Sequence, residues 1–162
     1  MLVHFDGACQ PPTGPGIAAF GFTIDGPGIA VEECGLATRP YSEHSTNNVA
    51  EYVGAIRALE RLHREGYRGP LIVAGDSQLV IRQMLGEYEV RAGHLSAYHD
   101  RLLQLAHAFV HVEWRWVPRE ENARADALSK QALADAQPDA RRYQGTRPAR
   151  RPDDHRPDVR AP

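Results

Sequence analysis

The chain has 162 residues, of which 42% are apolar and 25% charged, and it carries a formal charge of −2. That length suits one domain with a real core, no apolar run could cross a bilayer, and Cys9 and Cys34 are too few for a disulfide framework or a Cys-rich zinc site. The charge is uneven: residues 137–162 hold seven arginines against four aspartates, a surplus of +3 that leaves −5 on the remainder, which is a poor footprint for nucleic acid unless the acids gather around metal ions.

The opening MLVHFDGACQ lacks a basic region and reaches Asp6 too soon for a signal peptide, so a reducing cytoplasm is the expected setting. Residues 2–5, 17–24 and 30–37 read as strands, and the short turns PPTGPG and DGPG between them predict an antiparallel meander. A helix follows over 49–65 and ends at Gly66. LIVA at 71–74 is a fully apolar strand, as expected where both faces are buried. SQLVIRQML predicts a helix stopping at Gly86, and another helix spans 95–108. VHVEWRWV, 110–117, alternates as a strand with Trp114 and Trp116 packing in the core, and Pro118 closes it. A last helix covers 123–134. The order βββ-α-β-α-α-β-α predicts an α/β fold, a mixed five-stranded sheet with helices on both faces, over residues 1–136. The Arg-, Pro- and Asp-rich segment 137–162 reads as disordered, either a solubilising extension or an auxiliary phosphate-binding arm.

NNVAEYVGAIRALE, residues 47–60, contains an anomaly. At about 100° per residue, Tyr52, Ala55, Ile56, Ala58, Leu59 and Leu62 share one arc, Arg57, Glu60, Arg61 and Arg64 the other. Glu51 projects into the apolar arc, where an unpaired carboxylate is costly. A capping box with Asn48 as N-cap would explain it, as would a partner elsewhere.

Three more acids fall at element ends. Asp6 follows the first strand, Asp76 follows LIVAG, and Asp126 borders the stripe of Ala125, Leu128, Ala132 and Leu133 near the start of the last helix. Each alone reads as a turn, cap or helix-edge acid. Jointly, they and Glu51 fall where an open α/β sheet gathers its functional groups. Carboxylates packed together repel and take up protons, and hard divalent ions relieve that repulsion. Two such ions about 4 Å apart can activate water and stabilise the leaving oxygen of a phosphodiester.

FDGAC, STNNVAEY, GDSQLVIRQM and WVPREENARADALS, taken in series from residue 2 to about 134, resemble the motif set of type 1 ribonuclease H. The resemblance implies the ribonuclease H-like fold. It also implies hydrolysis of the RNA strand of RNA–DNA hybrids, leaving 5′-phosphate ends, with two Mg²⁺ or Mn²⁺ ions per site. Asp6, Glu51, Asp76 and Asp126 match the catalytic, metal-binding carboxylates. Asp6 would bridge both ions, Asp126 would hold the ion that activates water, and Glu51 and Asp76 the ion beside the leaving 3′ oxygen. Glu51 would also reach toward the ribose 2′-OH. Asn47 and Asn48 match minor-groove contacts and Thr46 a DNA-phosphate contact, although all three could equally serve the start of the helix. Gly7 and Ala8 would let the backbone approach the RNA strand. Ser77 would bind a phosphate or cap a helix, and Asn122 would position the Asp126 loop or cap the last helix.

The chain also departs from the pattern. WVPREENARAD has no His before its final Asp, leaving Arg119 or Glu120 as substitutes, and GEYEVRAGHLSAYH lacks a basic protrusion. His44 stands where some members have Arg, and no separate hybrid-binding domain is expected ahead of Met1. His107 and His111 span a helix-to-strand break and make a poor zinc pair. Lys130 is the single lysine, so phosphate contacts would fall mostly to arginine. A monomer is expected, with no protein partner or membrane implied. Two other functions remain open at this point: a nuclease of the same fold acting on branched DNA, and a hybrid-binding module without catalysis.

Overall fold

A computed structural model describes residues 1–91 and 93–144, with side chains as far as Gln137. The elements are β1 (Leu2–Gln10), β2 (Ile17–Gly26), β3 (Ile29–Leu36), α1 (Asn47–Arg64), β4 (Leu71–Gly75), α2 (Gln78–Met84), α3 (Gly93–Ala106), β5 (Val112–Trp116), a 3₁₀ turn (Arg119–Asn122) and α4 (Ala123–Gln144). The sheet order is β3-β2-β1-β4-β5. β1, β2 and β3 form the antiparallel meander, while β4 pairs parallel with β1 and with β5.

α1 lies on β1 and β2 with α3 packed behind it, and α4 lies across β1, β2 and β3. Alternation along β1 divides the work between the two faces. Val3 and Phe5 join Phe22, Tyr52, Leu59 and Leu62 in the main core, whereas Asp6 meets α4. The apolar arc read from the sequence of α1 is buried, and Tyr52, Ala55, Ala58, Leu59 and Leu62 are sealed from solvent.

Several boundaries differ from those expected. β1 runs on to Gln10, so Asp6 lies inside the strand and not after it. Asp-Gly is a turn signal in a local window, but the pairing with β2, from Leu2↔Asp25 to Gln10↔Ile17, holds it extended. β4 accompanies β1 only as far as His4↔Ala74. Beyond that pair the two strands part, and the crevice between them begins at Asp6 and Asp76.

The N-cap of α1 is Thr46, whose hydroxyl accepts from Val49 N at 3.3 Å; Asn48 is already helical. Glu51 therefore stands beyond the first turn and completes no capping box. β5 starts at Val112, and Val110, 80% exposed, belongs to the preceding turn. Trp114 packs against the core, but Trp116 is 46% exposed, because β5 is a short edge strand that outruns the core. α4 continues to Gln144, past the expected end and into the segment read as a disordered tail; Gln, Ala and Arg there are good helix formers. Residues 145–162, the rest of that segment, lie outside the described residues. Among the described residues no helix is long and apolar enough to cross a membrane.

Candidate active site

Three carboxylates converge where β1 and β4 part. Asp6 comes from the middle of β1, Glu51 from the second turn of α1, and Asp76 from the residue after β4, and ligand oxygens of the three lie within 4.8 Å of one another. Among the described residues this is the one such group of three or more His, Cys, Asp or Glu side chains, and His107 and His111 form none. Asp6 and Glu51 are buried and Asp76 is half-buried. Asp126, in the first turn of α4, faces the trio across a cavity of about 340 Å³.

The local sequence explains how each acid is placed. Gly7 lets α1 approach β1 so closely that a Cβ there would lie 2.2 Å from Glu51 N. Asn122, buried at the end of the 3₁₀ turn, donates its amide to Asp76 Oδ1 and to the Phe5 carbonyl, both at 2.9 Å. It therefore ties to β1 both Asp76 and the turn that leads into α4 and Asp126. The Trp116 indole N–H donates to the Asp76 carbonyl at 3.2 Å. Asn47 Nδ2 lies 3.4 Å from Glu51 Oε1, while Glu51 Oε2 is buried with no partner.

The electrostatics set Glu51 and Asp6 apart from Asp126. Burial, then the neighbouring Asp6 and Asp76, push the Glu51 carboxyl well above its usual range, against weaker help from the Gly7 N–H and Asn47. Asp6 is raised to about 6, chiefly by burial and then by Asp76 and Asp126, although the Ser129 hydroxyl favours its charged form. Asp126 behaves oppositely. Burial would raise it, but Lys130 and Arg119, each 2.6 Å away, hold it below the ordinary carboxylate value.

Hard oxygen donors, an orphaned buried carboxylate oxygen and two acids that favour keeping their protons all fit a divalent cation. A cation there would supply the positive charge that protons otherwise provide.

Of the other residues singled out from sequence, Gly7, Ala8 and Asn47 line the cavity. Thr46 and Ser77 serve as N-caps of α1 and α2, Ser77 accepting from Val80 N at 3.4 Å, and Asn48 is exposed outside the cavity lining. Arg119 enters the site through Asp126, whereas Glu120 is exposed and lines a different cavity. Sequence reasoning missed Ser129, which donates to Asp6, and the pairing of Lys130 with Asp126. Both carried a signal: a hydroxyl on the packing stripe of α4, and a cation four residues after an acid.

This sheet order, with an acidic crevice at the parting of β1 and β4, defines a ribonuclease H-like fold. A family model described as reverse transcriptase-like matches residues 4–132. A bifunctional protein of Mycobacterium tuberculosis is 31% identical over 134 residues, 82% of this chain and 35% of the relative. The chain thus spans about a third of that relative's length. A ribonuclease H of Phenylobacterium zucineum is 34% identical over 153 residues, covering 84% of this chain and 92% of its own. The solved structure of LC11-RNase H1 in complex with an RNA/DNA hybrid superposes with a TM-score of 0.72 at 31% identity, covering 84% of this chain and 98% of that one. The chain belongs to the type 1 ribonuclease H family.

Proposed function

We propose that this chain hydrolyses the RNA strand of RNA–DNA hybrids, with two Mg²⁺ or Mn²⁺ ions held by Asp6, Glu51, Asp76 and Asp126. The observation that carries this reading is the meeting of Asp6, Glu51 and Asp76, from three separate elements, within 4.8 Å in a cavity that Asp126 also lines. The hybrid bound to the related LC11-RNase H1 supports the substrate.

On this reading Asp6, Glu51, Asp76 and Asp126 would hold the ions, with Asp6 serving both, Asp126 the side of the attacking water, and Glu51 and Asp76 the side of the leaving 3′ oxygen. The ions, when bound, lower the pKa of water and offset charge on the leaving oxygen. The chain's own groups do the rest. Asn122 donates to Asp76 Oδ1 and leaves Oδ2 free of that bond in a residue that lines the cavity. Glu51 and the adjoining Asn47 amide meet the ribose 2′-OH, the group that separates RNA from DNA. Gly7 and Ala8 form the part of the cavity wall that the RNA backbone approaches, and Asn48 meets the minor groove from the exposed start of α1. The Thr46 and Ser77 hydroxyls accept at their caps and keep the O–H proton to donate to a phosphate oxygen. Arg119 and Lys130 put positive charge at the cavity rim for the phosphate backbone. The protein acts as a cytoplasmic monomer.

The test is an end-labelled RNA–DNA hybrid incubated without metal, with Mg²⁺ and with Mn²⁺, beside duplex DNA and a branched DNA. Metal-dependent cutting confined to the RNA strand is expected, and Asp6→Asn should abolish it while keeping hybrid binding. Cutting of the branched DNA alone, or tight hybrid binding with no cutting in either metal, would sink the reading.

A further inference from the structure

The backbone of α4 comes down unusually close to the sheet at one point. Gly21 stands opposite Asp6 on β2, and a Cβ there would lie 2.5 Å from Ser129 N and 2.6 Å from the Ala125 carbonyl oxygen. With no side chain at Gly21, the helix settles against β2 and carries Ser129, fully sealed from solvent, to the Asp6 carboxylate. α1 closes in from the other face, where a Cβ at Gly54 would meet the Asp6 carbonyl at 3.0 Å.

The Ser129 hydroxyl has one proton and two acceptors. One is the Asp126 carbonyl, a turn back on its own helix at 3.0 Å; the other is Asp6 Oδ2, which is nearer. A charged acceptor takes the stronger bond, so the proton goes to Asp6. Nothing else at this position asks for a hydroxyl. The surrounding stripe is Ala125, Leu128 and Ala132, and Ala would be the better helix former and would bury no polar group.

We propose that Ser129 is a positioning residue for the metal site: its hydroxyl holds Asp6 by Oδ2 and leaves Oδ1 free for the pocket shared with Glu51 and Asp76. The inference rests on the metal-binding reading above. A carboxylate fixed by a buried donor loses no rotamer freedom when an ion binds, and outer-shell partners of this kind typically govern metal affinity about 10- to 100-fold.

The experiment titrates Mn²⁺ into the metal-free protein, without nucleic acid, followed by calorimetry and by Mn²⁺ electron paramagnetic resonance. Ser129→Ala should bind Mn²⁺ about tenfold more weakly while keeping the wild-type circular dichroism spectrum. Ser129→Thr, which keeps the hydroxyl, should stay within about twofold of wild type. A folded Ala variant with wild-type or tighter Mn²⁺ affinity overturns the proposal, as does a folded Thr variant as weak as Ala. A purely space-filling serine would change the melting temperature and leave Mn²⁺ affinity alone. Wild-type protein that binds Mn²⁺ but cuts no hybrid would sink the hydrolase reading and leave Ser129 standing. Hybrid cleavage beside an Ala variant of unchanged affinity would do the reverse.

Discussion

Lys130 Nζ lies 2.6 Å from Asp126 Oδ2 while Arg119 Nη2 lies 2.6 Å from Oδ1, so one carboxylate of the four is held by cations at both oxygens. Asp6, Glu51 and Asp76 form no such pair among the described residues. Lys130 and Arg119 are themselves well exposed, and exposed pairs contribute about 1 kcal/mol or less. Their larger effect would fall on a divalent ion bound nearby: a unit charge within several ångströms repels it by about 1 kcal/mol in water, or about fivefold in affinity. Lys130→Met should therefore leave the melting temperature nearly unchanged, tighten Mn²⁺ binding about fivefold, and weaken hybrid binding at low salt. Calorimetry showing equal Mn²⁺ affinity in the two proteins would contradict this.

The pH dependence of stability follows from the buried acids. Asp6 is raised from 3.8 to about 6, and Glu51 stands well above its usual 4.5. Above pH 4 the native, metal-free protein thus keeps protons that the unfolded chain has released. Stability falls with rising pH wherever the unfolded state binds fewer protons, so it should decline from about pH 4 through 6 and beyond. Asp126, held low, works the other way, and its contribution is lost only as pH falls below the ordinary carboxylate value. Thermal melts in EDTA should show a melting temperature that drops between about pH 5 and 8. Mg²⁺ should raise it most at the alkaline end. A Mg²⁺ effect of equal size at both ends would count against a site built on Asp6 and Glu51.

Asn122 ties Asp76 to β1 with one amide group, and its Oδ1 is buried without a partner. Asn122→Ala strands the Phe5 carbonyl, which should cost about 2 kcal/mol of stability, read as a lower urea midpoint. Asp76 also loses its anchor, so hybrid cleavage should fall about tenfold or more even where the variant is fully folded. Wild-type turnover under those conditions would make Asn122 structural only.

How much of this was legible in the sequence depends on how local each cause is. Glu51 announced itself because an acid in an apolar arc is costly wherever the helix docks. Asp126 and Lys130 are four residues apart on one helix, so their pairing lay within reach of a local reading. The sequence places Asp6 just past the end of its strand and not within it, because the strand is held extended by β2, a pairing that no window around FDGAC contains. Ser129 and Asp6 are 123 residues apart, and only the missing side chain at Gly21 lets them meet. Trp116 was expected in the core because alternation reports a face of a strand, not how far the core extends beneath it. Thr46 displaced Asn48 as the cap because both are good caps and the helix simply starts earlier.

Gly7 sits in the cavity wall, and it was expected to admit the RNA backbone; the structure gives it a second reason to be glycine. A Cβ there would lie 2.2 Å from Glu51 N and 2.5 Å from the Ala50 carbonyl carbon, both backbone atoms of α1 that cannot turn aside. Gly7→Ala must push α1 off the sheet and take Glu51 with it. Stability should fall by about 3 kcal/mol, the upper range for overpacking, and Mn²⁺ binding and hybrid cleavage should fall together. Gly93, at the start of α3, is the contrast, since a Cβ there meets nothing within 4 Å. Gly93→Ala should be neutral or stabilising by up to about 1 kcal/mol and leave both activities unchanged. Equal melting temperatures for the two variants would show that the close approach of α1 to β1 does not hold Glu51 in place.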